Sequence, residues 1–324
     1  MSDWRFDLVP ASPPNSKATG MVDWRDGVIA GWQFPYVAVN GAVPGPAVLV
    51  IAGVHGSEYV SIDAAVRLGA MLDPAHVHGQ VLCLPLLNPA AFWERTAYVS
   101  PIDNLNPNRT FPGKSDGTFT ERVTHHVTQR AIRHADALID LHGGDIPEAL
   151  VPFTIYEQSG DATLDARSRA MAEAFGMPAM LAQPHGNSPI AGTSYAAAAR
   201  LGVPAVIAED GGAGVYDAIA ADRMLAGAAN CLRSLGVLPG GAREVPKPHV
   251  FGRFAWVRSV HAGFFKPAVQ VGDMVAEGAA LGTIGDFFGR TLETVVAESS
   301  GRVLFLVVSA AVKASGLICG IGTD

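Results

Sequence analysis

Three short segments, each apolar at nearly every position, constrain this chain most: residues 47–52 (AVLVIA), 137–141 (ALIDL) and 203–208 (VPAVIA). A strand with one face in water alternates apolar and polar residues. A run without alternation has to be buried on both faces, as in a parallel sheet covered by helices. Helical spacing over residues 57–72, 119–134, 164–175, 194–200 and 216–235 supplies those covers. Residues 81–87 read as another buried strand, 151–156 as a further one, and 36–39 as a leading edge strand. Strands alternating with helices predict an α/β fold with a mostly parallel or mixed sheet flanked by helices.

The pattern changes after Leu238. Residues 239–248 (PGGAREVPKP) read as a linker, and beyond them the helical period is lost. Short β-like stretches recur between glycines at 254–257, 268–271, 281–284, 294–296 and 303–308. The expectation is an α/β catalytic domain over residues 1–238 and a small all-β barrel or sandwich over 249–324.

The 324 residues are 49% hydrophobic and 16% charged, which suits a large core and argues against disorder. The net charge of −7 excludes the basic footprint expected of a protein that binds nucleic acid or an anionic membrane. No apolar run approaches the roughly 20 residues of a membrane span. Arg5, Asp7, Lys17, Asp23, Arg25 and Asp26 do not read as a signal peptide. Cys83, Cys231 and Cys319 are an odd number in apolar settings, which predicts reduced core thiols and a cytoplasmic location.

Each of the three constraining strands ends in a residue that can bind a metal or a proton. The endings are Gly53-Val54-His55-Gly56-Ser57-Glu58, Asp140-Leu141-His142-Gly143-Gly144 and Ala208-Glu209-Asp210-Gly211-Gly212. Ligands of open α/β sheets bind beyond the carboxyl ends of the strands, so the three endings are expected to face one crevice. His55 and Glu58, three residues apart where a strand turns into a helix, can address one ion, and His142 is the natural third ligand. Two His and one Glu with an open position form a catalytic zinc set, so one Zn²⁺ per chain is expected. The plainer alternative is a helix-capping His55 and a buried, hydrogen-bonded His142. Glu209 is the candidate general base, and Asp210 beside it is expected to point away. His76, His78, His125, His126 and His134 are expected to be solvated.

Residues 95–113 form a long loop rich in turn formers. Arg95 and Arg109 within it are candidates for a fork on a substrate carboxylate.

The motifs G-x-H-G-x-E, N-R-x-F-P-G and D-L-H-x-G and the late strand-end Glu, in this order, resemble the succinylglutamate desuccinylase/aspartoacylase family of zinc carboxypeptidase-like deacylases. The N-acetyl-diaminobutyrate deacetylase branch looks nearest. The resemblance covers roughly residues 45–320. It implies zinc on His55, Glu58 and His142, Glu209 as base, substrate contacts by Asn108 and Arg109, and Arg95 polarising the scissile carbonyl. One departure is Asn106-Pro107-Asn108-Arg109 where family members often have Leu-Asn-Arg. The C-terminal part resembles a lipoyl/biotinyl domain, but its hairpin, residues 285–290 (GDFFGR), lacks the lysine a carrier needs. The function so implied is hydrolysis of the amide bond of a small N-acyl amino acid or N-acyl amine. A metallocarboxypeptidase and a non-catalytic binding protein are the alternatives. The expected partner is a small-molecule substrate, with a homo-oligomeric state left open.

Overall fold

The computed structural model describes residues 4–185 and 191–324. The strands of the first part are β1 (Ser16–Met21), β2 (Pro35–Asn40), β3 (Val43–Ala52), β4 (His78–Leu84), β5 (Ala137–His142), β6 (Glu148–Leu150), β7 (Phe153–Gln158), β8 (Ala179–Pro184) and β9 (Ala205–Glu209). The helices are α1 (Tyr59–Met71), α2 (Pro89–Glu94), α3 (Phe119–Arg130), α4 (Ala162–Phe175), α5 (Ser194–Arg200) and α6 (Ala218–Ser234). The remaining strands are β10 (His249–Phe251), β11 (Arg253–Arg258), β12 (Gly263–Pro267), β13 (Met274–Val275), β14 (Ala280–Gly285), β15 (Thr291–Val296), β16 (Gly301–Val307), β17 (Ala311–Val312) and β18 (Leu317–Thr323).

A nine-stranded mixed sheet runs β1-β2-β4-β3-β5-β9-β7-β8-β10. Its centre, β4-β3-β5-β9, is parallel, and β9 pairs antiparallel with β7. The all-apolar strands are therefore neighbours, and their carboxyl ends open on one side. One face of the sheet packs against α1, α4 and α6 through residues such as Leu68, Phe175 and Met224. The other is covered by the N-terminal segment, α3 and α5 through Phe6, Phe34, Val127 and Tyr195. Cys83, Cys231 and Cys319 are free and buried, and burial pushes each thiol up to about 12. No helix among the described residues is long and apolar enough to cross a membrane.

The C-terminal strands form two small antiparallel sheets, β11-β18-β16-β13 and β15-β14-β12-β17. They exchange strands with the α/β part: β10 adds to the large sheet beside β8, and β6 pairs with β16. A shared apolar cluster joins the two parts, with Phe153 and Leu181 from one side and Phe254, Leu304 and Phe305 from the other.

Some expectations shift. Residues 268–271 are a turn between β12 and β13, not a strand. The helix expected over 119–134 ends at Arg130, and a short 3₁₀ turn, Ile132–His134, follows. His126 is not freely solvated: it is half-buried, with Nε2 3.2 Å from the Asp26 carboxylate.

Candidate metal centre and its cavity

The turn after β3 brings the first two candidate ligands together. Gly53 takes a left-handed conformation (φ 59°), and a Cβ on Gly56 would stand 2.2 Å from the Phe92 backbone nitrogen, so the turn lies flat on α2. Glu58 is the N-cap residue of α1, yet its side chain caps nothing. It turns inward instead, with Oε1 2.6 Å from His55 Nδ1 and Oε2 3.0 Å from His142 Nδ1. The second contact is not aligned as a hydrogen bond, which leaves Glu58 Oε2 a buried acceptor without one.

The far nitrogen of each imidazole is held by an acceptor. His55 Nε2 meets Asn106 Oδ1 at 3.1 Å, and His142 Nε2 meets Asp140 Oδ2 at 3.1 Å. The acceptor beside each Nε2 leaves Nδ1 as the nitrogen that faces Glu58, sharing a proton with the carboxylate or open to a cation in its place. Outer partners of this kind are what orient histidines around a metal. The three ligand atoms lie within 4.8 Å of one another, and the side chains are buried, Glu58 at 4% and His142 at 1% exposure. Two imidazole nitrogens and a carboxylate with one oxygen lacking a hydrogen bond fit a divalent ion with a preference for nitrogen and oxygen, zinc foremost.

The charges fit the same reading. Burial alone would raise the Glu58 pKa, but His55 and His142 outweigh it and hold the carboxyl far below its usual value. Burial disfavours a charged His142, but Asp140 and Glu58 outweigh it and raise the imidazole's pKa.

Glu209 is the register partner of His142 across β5 and β9, and it lines the same cavity. Burial raises its carboxyl well above the usual range, with Glu58 and Glu148 adding to the effect and His142 opposing it. Asp210 turns the other way into a bidentate pair with Arg223 of α6, at 2.6 and 2.7 Å.

The 95–113 loop is only partly brought to the site. Asn108 is buried and Arg109 faces the cavity. Asn108 Oδ1 accepts from Ser194 N–H at 3.0 Å, tying the loop to α5, while Nδ2 lies 3.5 Å from His142 Nε2. Arg109 Nη1 donates to the Asn108 carbonyl at 2.7 Å, which sets the guanidinium's direction. The expectation for Arg95 is corrected. It is the left-handed C-cap of α2, exposed, and not part of the cavity lining, so it neither forks with Arg109 nor reaches the metal cluster.

Four residues at the site escaped the sequence reading: Asn106, which holds His55 Nε2, and Asp140, Tyr98 and Glu148. Asp140 was legible in principle: a charge in an otherwise apolar strand, two residues before His142 and so on the same face. It also accepts a short hydrogen bond from the Ser194 hydroxyl. Tyr98 and Glu148 carried no local signal. Tyr98 takes a left-handed conformation (φ 63°) and is held by Asp145, whose Oδ2 accepts its backbone N–H at 2.7 Å. Its hydroxyl meets Glu148, whose carboxyl burial pushes up to about 7. Both line the cavity of about 560 Å³ that opens from the metal cluster toward the C-terminal strands.

Comparison with known proteins agrees with this geometry. Residues 44–235 match the succinylglutamate desuccinylase/aspartoacylase catalytic domain. The N-alpha-acetyl-L-2,4-diaminobutyric acid deacetylase of Halomonas elongata is 30% identical over 247 residues, 75% of this chain and 71% of that protein. The product-bound ectoine utilization protein EutE (DoeB) from Ruegeria pomeroyi superposes with a TM-score of 0.86 at 25% identity, covering 97% of this chain and 98% of that one. A succinylglutamate desuccinylase/aspartoacylase from Rhodobacter sphaeroides gives 0.81 at 27% identity, covering 95% and 96%. Catalytic-domain match, deacetylase relative and two-His, one-Glu cluster agree, and the chain belongs to the succinylglutamate desuccinylase/aspartoacylase family of amide-cleaving deacylases.

Proposed function

We propose that this protein is a zinc-dependent deacylase that hydrolyses the amide bond of a small N-acyl amino acid or N-acyl amine. The observation that carries the reading is the convergence of His55 Nδ1, His142 Nδ1 and the Glu58 carboxylate at the head of a cavity that Glu209 also lines. A zinc ion held there would polarise the scissile carbonyl and lower the pKa of a water. Glu209 is the group to take the proton of the attacking water and return it to the departing amine. Its burial makes it a stronger base than a solvated carboxylate. Arg109, fixed at the cavity wall, is placed to pair with the carboxylate of an acylated amino acid. Asn108 holds the loop that carries it. The likeness to a relative named for an acetylated diamino acid supports an N-acyl amino acid as the substrate class. Residues 249–324 form a unit whose strands β11, β16 and β18 wall the cavity, and we assign them a role in substrate selection.

The test is amine release from a panel of N-acyl amino acids by chelator-treated and zinc-restored protein, with Glu209→Gln beside the wild type. The amide is nearly isosteric but cannot accept the water's proton. Zinc-dependent turnover is expected, with a loss of roughly a hundredfold or more in Glu209→Gln while zinc stays bound. Turnover within a few-fold of wild type in that variant would place the base elsewhere.

A further inference from the structure

Away from the metal cluster, the cavity changes character. One of its walls is made of Phe153 and Ile155 from the large sheet and Phe254, Trp256, Phe305 and Leu317 from the C-terminal strands. Three of the rings are stacked: Phe254 lies 6.4 Å from Phe153 with planes 25° apart, and 6.2 Å from Phe305 with planes 2° apart. Trp256 closes on Phe254 at 4.5 Å. The stack rests on Gly320 of β18, where a Cβ would stand 2.0 Å from the Phe254 ring and 2.5 Å from that of Phe305.

This wall is not a closed core. Phe153, Phe254 and Phe305 are buried, but Ile155, Trp256 and Leu317 are only partly so and present apolar surface to the cavity. The wall also begins at the reacting end. Phe153 is the register partner of Glu209, and Ile155 is the partner of Ile207, two residues further along the same face. Two residues of strand span about 7 Å, roughly the length of a phenyl ring or a short alkyl chain.

The carboxylates of the lining, Glu58, Glu148 and Glu209, gather at the metal end, where Glu148 is already met by the Tyr98 hydroxyl, while Lys313 stands at the C-terminal side. A carboxylate laid against Phe153, Ile155 and Phe305 would exchange its hydration for apolar contact, which is costly. An apolar group placed there would gain about what burial of a large apolar side chain gains.

We propose that the substrate carries a bulky apolar group, aromatic or medium-chain aliphatic, that fills this chamber while its amide lies at the metal cluster. The proposal rests on the deacylase reading and adds to it the kind of substrate. The apolar group belongs either to the amine half, as in an N-acetyl aromatic amino acid, or to the acyl half, as in an N-alkanoyl amino acid.

The experiment compares kcat/KM of the zinc-loaded full chain for N-acetyl-L-phenylalanine, N-octanoylglycine, N-acetyl-L-alanine and Nα-acetyl-L-2,4-diaminobutyrate. Calorimetric binding of the first two to metal-free protein accompanies it. One of the two bulky substrates is expected to exceed N-acetyl-L-alanine by about 10- to 100-fold, and which one does so names the half that carries the apolar group. Trp256→Ala should shrink that ratio toward one. Trp256→Phe, which keeps an aromatic wall if the smaller residue disturbs folding, should preserve most of it. Turnover of the alanine or diaminobutyrate substrate with both bulky ones at parity or worse overturns the chamber proposal and leaves the deacylase reading standing. Binding of a bulky ligand that Trp256→Ala weakens, with no amide in the panel turned over, upholds the chamber and overturns the deacylase reading.

Discussion

At the scale of single residues, the site depends on side chains diverted from the roles their positions suggest. Glu58 stands where a helix cap belongs and faces two imidazoles instead. Asp140 interrupts an apolar strand and is fully buried, paired with His142 Nε2 at 3.1 Å and accepting from Ser194. A carboxylate at that distance favours the hydrogen on His142 Nε2, which turns Nδ1 toward the ligand position. Asp140→Asn keeps the shape but removes the charge, and an amide can present a hydrogen to Nε2 in place of an acceptor. Zinc affinity is expected to fall about 10- to 100-fold, read by competition with a chromophoric chelator. An unchanged affinity would reduce Asp140 to a structural partner of Ser194. His55, Glu58 and His142 were legible because strand-end position and H-x-x-E spacing are both local signals. Tyr98 and Glu148 were not, because Asp145 and a C-terminal sheet hold them where they are, and neither lies near Tyr98 in sequence.

At the scale of elements, strands without alternation were readable and short polar-edged ones were not. β3, β5 and β9 stand close to where their apolar runs predicted, because nothing but double burial accounts for such runs. β8 was missed: Ala179–Pro184 is short and ends in polar Gln183 and in Pro184, so only its pairing with β7 and β10 makes it a strand. The apolar residues of 268–271 misled because apolar content alone does not separate a strand from a packed turn. Val269 and Val271 pack on the small β core from a turn. In the 95–113 loop, composition could not tell which arginine reaches the cavity. The Pro107–Arg109 turn and the Asn108 contact with α5 select Arg109. Arg109→Lys loses the planar fork. Its KM for carboxylate substrates is expected to rise roughly 10- to 150-fold, with little change for an uncharged amide analogue. Equal losses on both would mean that Arg109 serves the loop rather than the ligand.

At the scale of the whole molecule, the C-terminal strands are part of the site. β6 crosses into their sheet, β10 returns to the large one, and Phe153, Phe254 and Phe305 share one cluster. Unfolding either part exposes apolar surface on the other, so a single cooperative thermal transition is expected, with calorimetric and van't Hoff enthalpies in agreement. Two separated transitions would show that the parts stand independently and that the cavity wall is detachable. The net charge of −7 does not reveal this arrangement, because the positive charge at the cavity is local: Arg109 and Lys313 line it.

That ligand set is the central claim, and its most direct test is the zinc content of the chelated full chain after titration with zinc and removal of excess, measured on the wild type and on His142→Ala. The account predicts one tightly held zinc per wild-type chain and its loss in the variant. Equal zinc retained by both proteins would contradict it.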